Sequence, residues 1–305
     1  MSFKSYGDRI DPLKSHLTIV NHRSDVDWLL GLAYVARFGY PYPGNAKSVV
    51  KASLGKVPLF GNILKFAEFA FLTRSWGADK DKFFKALASM GTYSETGNPL
   101  WFVLYPEGTR FTEEKQQYSE AYAATKQLAP TTHVLFPRYK AFTAIVSALR
   151  DKFDGVIDAT FMFEGEEPAI KRALAGRVST VVHVHVKFYP MKDLPEAEED
   201  LEKWLLERWY EKDKRIADFN KDISTLGRPN EEESDTKFSS ARPFHALVAV
   251  YGFAAAATIY LFSNIPNGLY FLFASSFGAV ALTGLFTAMN IRPSRKGSGS
   301  SKKKR

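Results

Sequence analysis

The sequence predicts an α/β fold, a mostly parallel sheet flanked by helices, followed by a C-terminal transmembrane helical hairpin. Two observations carry the first part. Strand-length apolar runs alternate with longer stretches of helical periodicity over residues 1–237, the order that builds a parallel sheet with crossover helices. Two of those runs stop at polar, reactive side chains, Asn21-His22 in one case and Glu107 to Arg110 in the other. The second part rests on Phe244 to Ser263 and Gly268 to Asn290, which contain no Asp, Glu, Lys or Arg. Each is close to the roughly 20 residues a helix needs to cross a bilayer.

Taken in chain order, Met1 to Lys14 is polar and has no apolar core of the kind a secretory signal carries. Leu17 to Val20 has strand character, and Val26 to Phe38 reads as a helix. Asp79 to Met90 is a second helix, Leu100 to Tyr105 a strand, and Glu113 to Gln127 a helix. Val134 to Phe136 and Val178 to Phe188 are further strand candidates. Ala197 to Phe219 closes the domain as a helix whose acidic start, Glu196 to Glu202, complements the helix dipole. Asn220 to Arg242, with Glu231-Glu232-Glu233-Ser234-Asp235, reads as a polar linker and sets a boundary near residue 237. The hairpin is expected over 243–290, reversing at Asn264-Ile265-Pro266-Asn267, with a basic tail at 291–305. Two buried core helices are the other reading of that apolar pair.

Composition narrows the chemistry. With no cysteine in 305 residues, disulfides, thiolate metal sites and cysteine nucleophiles are excluded. The formal charge is +8, but Arg292, Arg295, Lys296, Lys302, Lys303, Lys304 and Arg305 sit in the tail, which leaves the rest near +1. The basic excess is therefore a terminal signal rather than a patterned nucleic-acid face, and no nucleic acid partner is expected. Basic residues flank both outer ends of the hairpin and none lies in its loop, which by the positive-inside rule places domain and tail on the cytosolic side. Lys302-Lys303-Lys304-Arg305 is similar to a dilysine retrieval signal of the endoplasmic reticulum.

Chemistry concentrates in two segments. In Asn21-His22-Arg23-Ser24-Asp25-Val26-Asp27 a strand gives way to a helix, the position beyond a strand's carboxyl end where α/β sheets bind ligands. Asp27, five residues after His22, is placed to accept an imidazole proton and so raise the basicity of the other ring nitrogen. Taken alone, the same residues also describe a surface histidine beside a helix capped by Ser24 or Asp25. In Tyr105-Pro106-Glu107-Gly108-Thr109-Arg110 a carboxylate and a guanidinium meet at a turn, which suits phosphate recognition. In isolation that segment equally describes a surface ion pair.

Together the two segments resemble the glycerolipid acyltransferase family, whose signature is an NH-x4-D box followed downstream by an EGTR box. Asn21, His22, Asp27, Glu107, Gly108, Thr109 and Arg110 match in order. Lys51-Ala52-Ser53-Leu54 with Val57-Pro58-Leu59-Phe60-Gly61, Phe71-Leu72-Thr73-Arg74, and Leu135-Phe136-Pro137-Arg138 match further blocks, so the likeness spans Asn21 to Leu194. The extended forms NHRSDVDWL and EGTRFTE, with Val182 to Val186 and Met191 to Pro195, look most like lysophosphatidic acid acyltransferases of the eukaryotic endoplasmic reticulum, while related enzymes that acylate lysocardiolipin or lysophosphatidylinositol share the same boxes.

The resemblance implies that His22 takes the proton of a lysophospholipid hydroxyl, Asp27 orients it, and the oxygen attacks the thioester of acyl-CoA directly. It implies that Lys51, Arg74, Glu107, Gly108, Thr109 and Arg110 form the substrate site, with Arg74, Glu107 and Arg110 around the acceptor phosphate. No metal or prosthetic group is expected; acyl-CoA is a co-substrate, and the bilayer is a partner. Pro137 is expected to be architectural or to serve acyl-donor binding. His183 and His185, on one face of a strand, raise a metal pair, but the family likeness assigns them to structure. Family members carry hydrophobic helices before the first box, whereas polar residues precede Asn21 here. Either the chain is a truncated gene product, or surface helices and the hairpin seat the domain, with Val57 to Phe71 as interfacial patch or as core; a membrane-anchored lipid-binding protein that keeps the boxes without turnover is the alternative of another class.

Overall fold

The computed structural model describes residues 2–39, 42–57, 60–73, 76–92, 97–174 and 180–230. The expected hairpin and tail, and Arg74, lie outside the described residues. Among the described residues, no helix is long and apolar enough to cross a membrane.

The strands are β1 (Ser2–Gly7), β2 (His16–Val20), β3 (Ala46–Lys51), β4 (Ala70–Leu72), β5 (Trp101–Leu104), β6 (Gly155–Glu164) and β7 (Val181–Pro190). The helices are α1 (Asp27–Val35), α2 (Tyr42–Asn45), α3 (Phe60–Phe66), α4 (Trp76–Gly91), α5 (Glu113–Thr125), α6 (Tyr139–Leu149), α7 (Ile170–Leu174) and α8 (Glu198–Lys221). One seven-stranded sheet has the order β1-β7-β6-β2-β5-β3-β4. Its neighbours are parallel except β6 and β7, so the mostly parallel sheet flanked by helices is as the sequence predicts.

Central strands are buried on both faces, which is why β5 reads as an unbroken apolar run and β2 as one interrupted only by Thr18. Leu17, Ile19, Phe102 and Leu104 pack with Phe83 and Leu87 of α4, Phe142 and Ile145 of α6, and Leu205 and Trp209 of α8. Val20, Ile157 and Phe161 pack on the other face with Leu30 and Tyr34 of α1. In α8 the buried positions Leu201, Leu205, Trp209, Lys212, Ile216 and Phe219 recur every three or four residues, a single stripe against the sheet.

Two expectations are corrected. Val134 to Phe136 is not a strand. Its amides are taken by side chains: Thr132, His133 and Val134 N–H donate to Asp213, Leu135 N–H to Glu107 and Phe136 N–H to Ser119. With those donors satisfied, no ladder is needed. Nor is the start of the polar stretch a free linker. α8 runs to Lys221, Asp222 caps a 3₁₀ turn at Ile223–Leu226, and Asn230 N–H donates to the Ser5 carbonyl at 2.7 Å.

Because β6, β2, β5, β3 and β4 run in one direction, their carboxyl ends share an edge. β2 and β5 are adjacent, with His16 opposite Trp101 and Ile19 opposite Leu104. The segments that follow them, 21–26 and 105–112, are therefore brought side by side.

Candidate active site

His22 sits one residue beyond Asn21, which is itself part of the scaffold. The Asn21 side chain donates to the Phe161 carbonyl at 3.0 Å and accepts the Phe161 N–H at 2.8 Å. This pair continues the β2–β6 ladder past the strand end and fixes where the loop departs. Ser24 Oγ accepts the Val26 N–H at 3.1 Å and donates to the Pro168 carbonyl. The loop is thereby clamped before α1 begins at Asp27.

His22 Nδ1 lies 2.9 Å from Asp27 Oδ2, and the same oxygen accepts the N–H groups of Arg23 at 2.7 Å and Ser24 at 2.8 Å. Asp27 is fully buried, while the His22 side chain keeps 24% of its surface. Burial pushes the Asp27 carboxyl above its ordinary range, and the bond to His22 and the two amides pull it back. An ionised Asp27 accepts the hydrogen bond of Nδ1–H, the tautomer that leaves Nε2 with the lone pair. The Tyr105 ring stands 4.9 Å from the imidazole, centre to centre. Burial first and Asp27 second hold the Tyr105 hydroxyl well above its usual pKa, so it stays neutral.

The backbone of His22 is held by the second segment. Its N–H donates to Glu107 Oε1 at 3.0 Å, and its carbonyl accepts the Phe111 N–H at 2.7 Å. The other Glu107 oxygen accepts the Leu135 N–H at 3.1 Å. Glu107 is only 2% exposed, so it ties the two boxes and the 132–136 loop together from inside the domain. The sequence expectation puts Glu107 near the acceptor phosphate; the structure shows each of its oxygens accepting one backbone N–H, a role in holding the loops. Burial pushes its pKa up to about 8 against the lowering pull of the His22 and Leu135 amides.

Gly108 makes the turn. Its φ is +67° and an added Cβ would lie 3.2 Å from Arg138 Cδ, a left-handed position that favours glycine. The Thr109 hydroxyl accepts from Lys115 Nζ at 2.8 Å, and Thr112 caps α5. Arg110 points to Asp25, 3.2 Å away, with 43% of its side chain exposed. Of the EGTR residues, Arg110 alone lines a cavity of about 450 Å³ that the histidine loop borders through Arg23, Ser24 and Asp25, the residues just after His22. That cavity also carries Glu166, Glu167 and Arg172. Lys51 ends β3, exposed, on the same sheet edge but two strands from β2. Among the described residues no hydrogen bond or ion pair joins it to His22, Asp27 or Arg110.

Sequence reasoning missed the far wall of the cavity. Arg23 Nε donates to Glu167 at 2.8 Å while its guanidinium stands 4.5 Å over Phe111, and Arg172 pairs with Glu166. The Asp25 carboxylate holds Arg110 and also accepts the Ile170 N–H at 2.9 Å. The only signal for this wall is the polar run Gly165-Glu166-Glu167-Pro168 after an apolar strand. Pro137 falls within the architectural loop, where the Arg138 N–H donates to the Pro106 carbonyl at 2.7 Å. His183 is structural: Nδ1 lies 2.8 Å from the Tyr6 hydroxyl and Nε2 2.9 Å from Glu164.

Comparison with known proteins meets this geometry. A family model described as Acyltransferase matches residues 3–160, and one described as Acyltransferase C-terminus matches 172–250. The chain belongs to the acyltransferase family. Its relatives include a 1-acyl-sn-glycerol-3-phosphate acyltransferase 2 of Brassica oleracea, 35% identical over 81% of this chain and 60% of that protein. A probable 1-acyl-sn-glycerol-3-phosphate acyltransferase 5 of Arabidopsis thaliana is 31% identical over 94% of this chain and 73% of its own length. A lysocardiolipin acyltransferase 1 of Mus musculus is 35% identical over 70% of this chain and 56% of its own. The chain thus spans about 60% of the length of the Brassica relative. Within the acyltransferase family match fall both halves of the site, the histidine loop and the glutamate loop that holds it.

Proposed function

We propose that the chain is an acyl-CoA-dependent acyltransferase that esterifies the sn-2 hydroxyl of lysophosphatidic acid to give phosphatidic acid. The observation that carries this is the His22–Asp27 pair, with both backbone groups of His22 held, on a loop whose next residues, Arg23 to Asp25, line a cavity with Arg110 and Arg172. Nε2 takes the hydroxyl proton as the oxygen attacks the thioester carbonyl carbon. The C–S bond then breaks, and the imidazolium returns the proton to the departing thiolate, so the base is regenerated. Ionised Asp27 favours the imidazolium, which lowers the barrier at the step where that charge develops. Guanidinium groups supply planar forks for an acceptor phosphate, and Arg110 is the one among them that belongs to the EGTR box.

Names of the relatives support the acceptor, and the lysocardiolipin relative supports a second reading, in which another lysophospholipid is the substrate. Transfer of labelled oleoyl from oleoyl-CoA to lysophosphatidic acid, lysophosphatidylinositol and monolysocardiolipin separates them. Preference for lysophosphatidic acid is expected; preference for either other headgroup replaces the first reading with the second. The same proposal places the chain in the endoplasmic reticulum membrane, anchored by the hairpin at 243–290 with domain and tail in the cytosol. That part rests on the charge pattern of the sequence.

A further inference from the structure

Beyond the carboxyl end of β3 the chain forms a small cap: the 3₁₀ turn Ala52–Lys56, then α3, then the return to β4. Gly61 makes its centre tight, since an added Cβ would lie 2.5 Å from the Gly55 carbonyl oxygen, and Gly55 rests on the Phe71 ring. The outer side is apolar and open. Phe66 is 89% exposed, Ile63 55% and Val57 43%. Ile63 and Phe66, three residues apart on α3, share one helix face.

The charge around this knob is mostly positive. Lys51, Lys56 and Lys65 are exposed, and the single acid between residues 46 and 73 is Glu68, whose carboxylate lies 3.0 Å from Lys47 Nζ. A protein interface tends to deplete lysine around its apolar centre. An apolar tip ringed by lysines instead suits a lipid surface, where aromatic and aliphatic side chains enter the headgroup boundary and ammonium groups meet phosphates. The location agrees: β3 runs parallel to β5, and β5 to β2, so the cap stands at the same sheet edge as His22.

We propose that this cap is a docking surface for an anionic phospholipid bilayer, with Phe66 and Ile63 entering the membrane boundary and Lys56 and Lys65 pairing with lipid phosphates. It would present the catalytic edge of the sheet to the bilayer. The inference depends on exposure and charge at the cap and holds whichever lysophospholipid is the acceptor.

The chain has no cysteine, so a full-length Phe66→Cys protein takes a nitroxide at one site, and the label reports locally whatever else anchors the chain. The protein is bound to phosphatidylcholine vesicles with and without phosphatidylserine, and collisions with oxygen and with a water-soluble nickel chelate are compared. A Tyr118→Cys label, at a 70% exposed position on α5, serves as reference. The expected result is a several-fold loss of nickel access at position 66 relative to 118, with a gain in oxygen access. Phosphatidylserine should enlarge the loss, and Lys56→Glu with Lys65→Glu should reverse it. Equal nickel access at 66 and 118 on both vesicles overturns the proposal. So does dipolar broadening between labels at 66 without lipid immersion, which would assign the cap to a second copy of the chain.

Discussion

His22 is fixed at three points: its ring by Asp27, its N–H by Glu107 and its carbonyl by Phe111. An imidazole on a surface loop would otherwise sample several rotamers, and orientation is worth much of what a general base contributes. Glu107 does this from an unusual state. Its pKa is raised from 4.5 to about 8, so the native protein holds the Glu107 proton more tightly than the unfolded chain. The stability this confers is full below pH 4.5 and is lost as pH rises through about 8. Melting temperature should therefore fall over that window more steeply for the parent than for Glu107→Gln. Parallel profiles would show that Glu107 does not titrate there. Arg110 acts outside this frame, on the cavity. Arg110→Ala should raise the Michaelis constant for the phosphate-bearing acceptor by about ten- to a hundredfold, the worth of a charge-assisted hydrogen bond, with a smaller change in kcat. An unchanged constant would remove Arg110 from the phosphate site.

Elements explain why these side chains meet, and also which of them the sequence displays. Val20 and Leu104 end adjacent strands, so the loops after them touch, and both loops carry runs of polar residues that stand out after apolar ones. β6 does not stand out, because Asp158 and Thr160 interrupt its apolar pattern. Those residues are buried and matched from α8: Lys212 pairs with Asp158 and donates to the Ala159 carbonyl at 2.6 Å, and Arg215 donates to Thr160 at 3.1 Å. The hidden partner lies over fifty residues along the chain, beyond any local pattern. Loop 132–136 misleads for the converse reason, since its apolar residues look like a strand while its amides bond to Asp213, Glu107 and Ser119. Lys212 also shows what such matching costs when broken. Lys212→Met leaves Asp158 buried and unpaired, a loss of about 3–5 kcal/mol. For a domain of this size that lowers the melting temperature on the order of 10 °C. Adding Asp158→Asn should recover most of the loss; no recovery would mean that the Lys212 hydrogen bonds to the Ile19 and Ala159 carbonyls, not the ion pair, carry the stability.

At the scale of the whole molecule, the sequence shows a clear division between a domain near charge balance and a tail that holds most of the net charge. If the tail is the address, Lys302→Ser with Lys303→Ser should release the protein from the endoplasmic reticulum in a microscopy assay, and unchanged retention would assign retention to another segment. The fold was legible because alternating strands and helices leave a periodic record. The cavity wall at 165–172 was not, because its carboxylates and guanidinium groups acquire meaning only when β6 delivers them opposite Arg23 and Asp25. The central claim is that Nε2 of His22 is the base for acyl transfer, and the most direct measurement is oleoyl transfer to lysophosphatidic acid by the full chain in phospholipid vesicles, beside His22→Ala. The account predicts a loss on the order of 10²–10⁴-fold in kcat/KM, with the melting temperature unchanged. Turnover within a few-fold of the parent from a folded His22→Ala protein would contradict it.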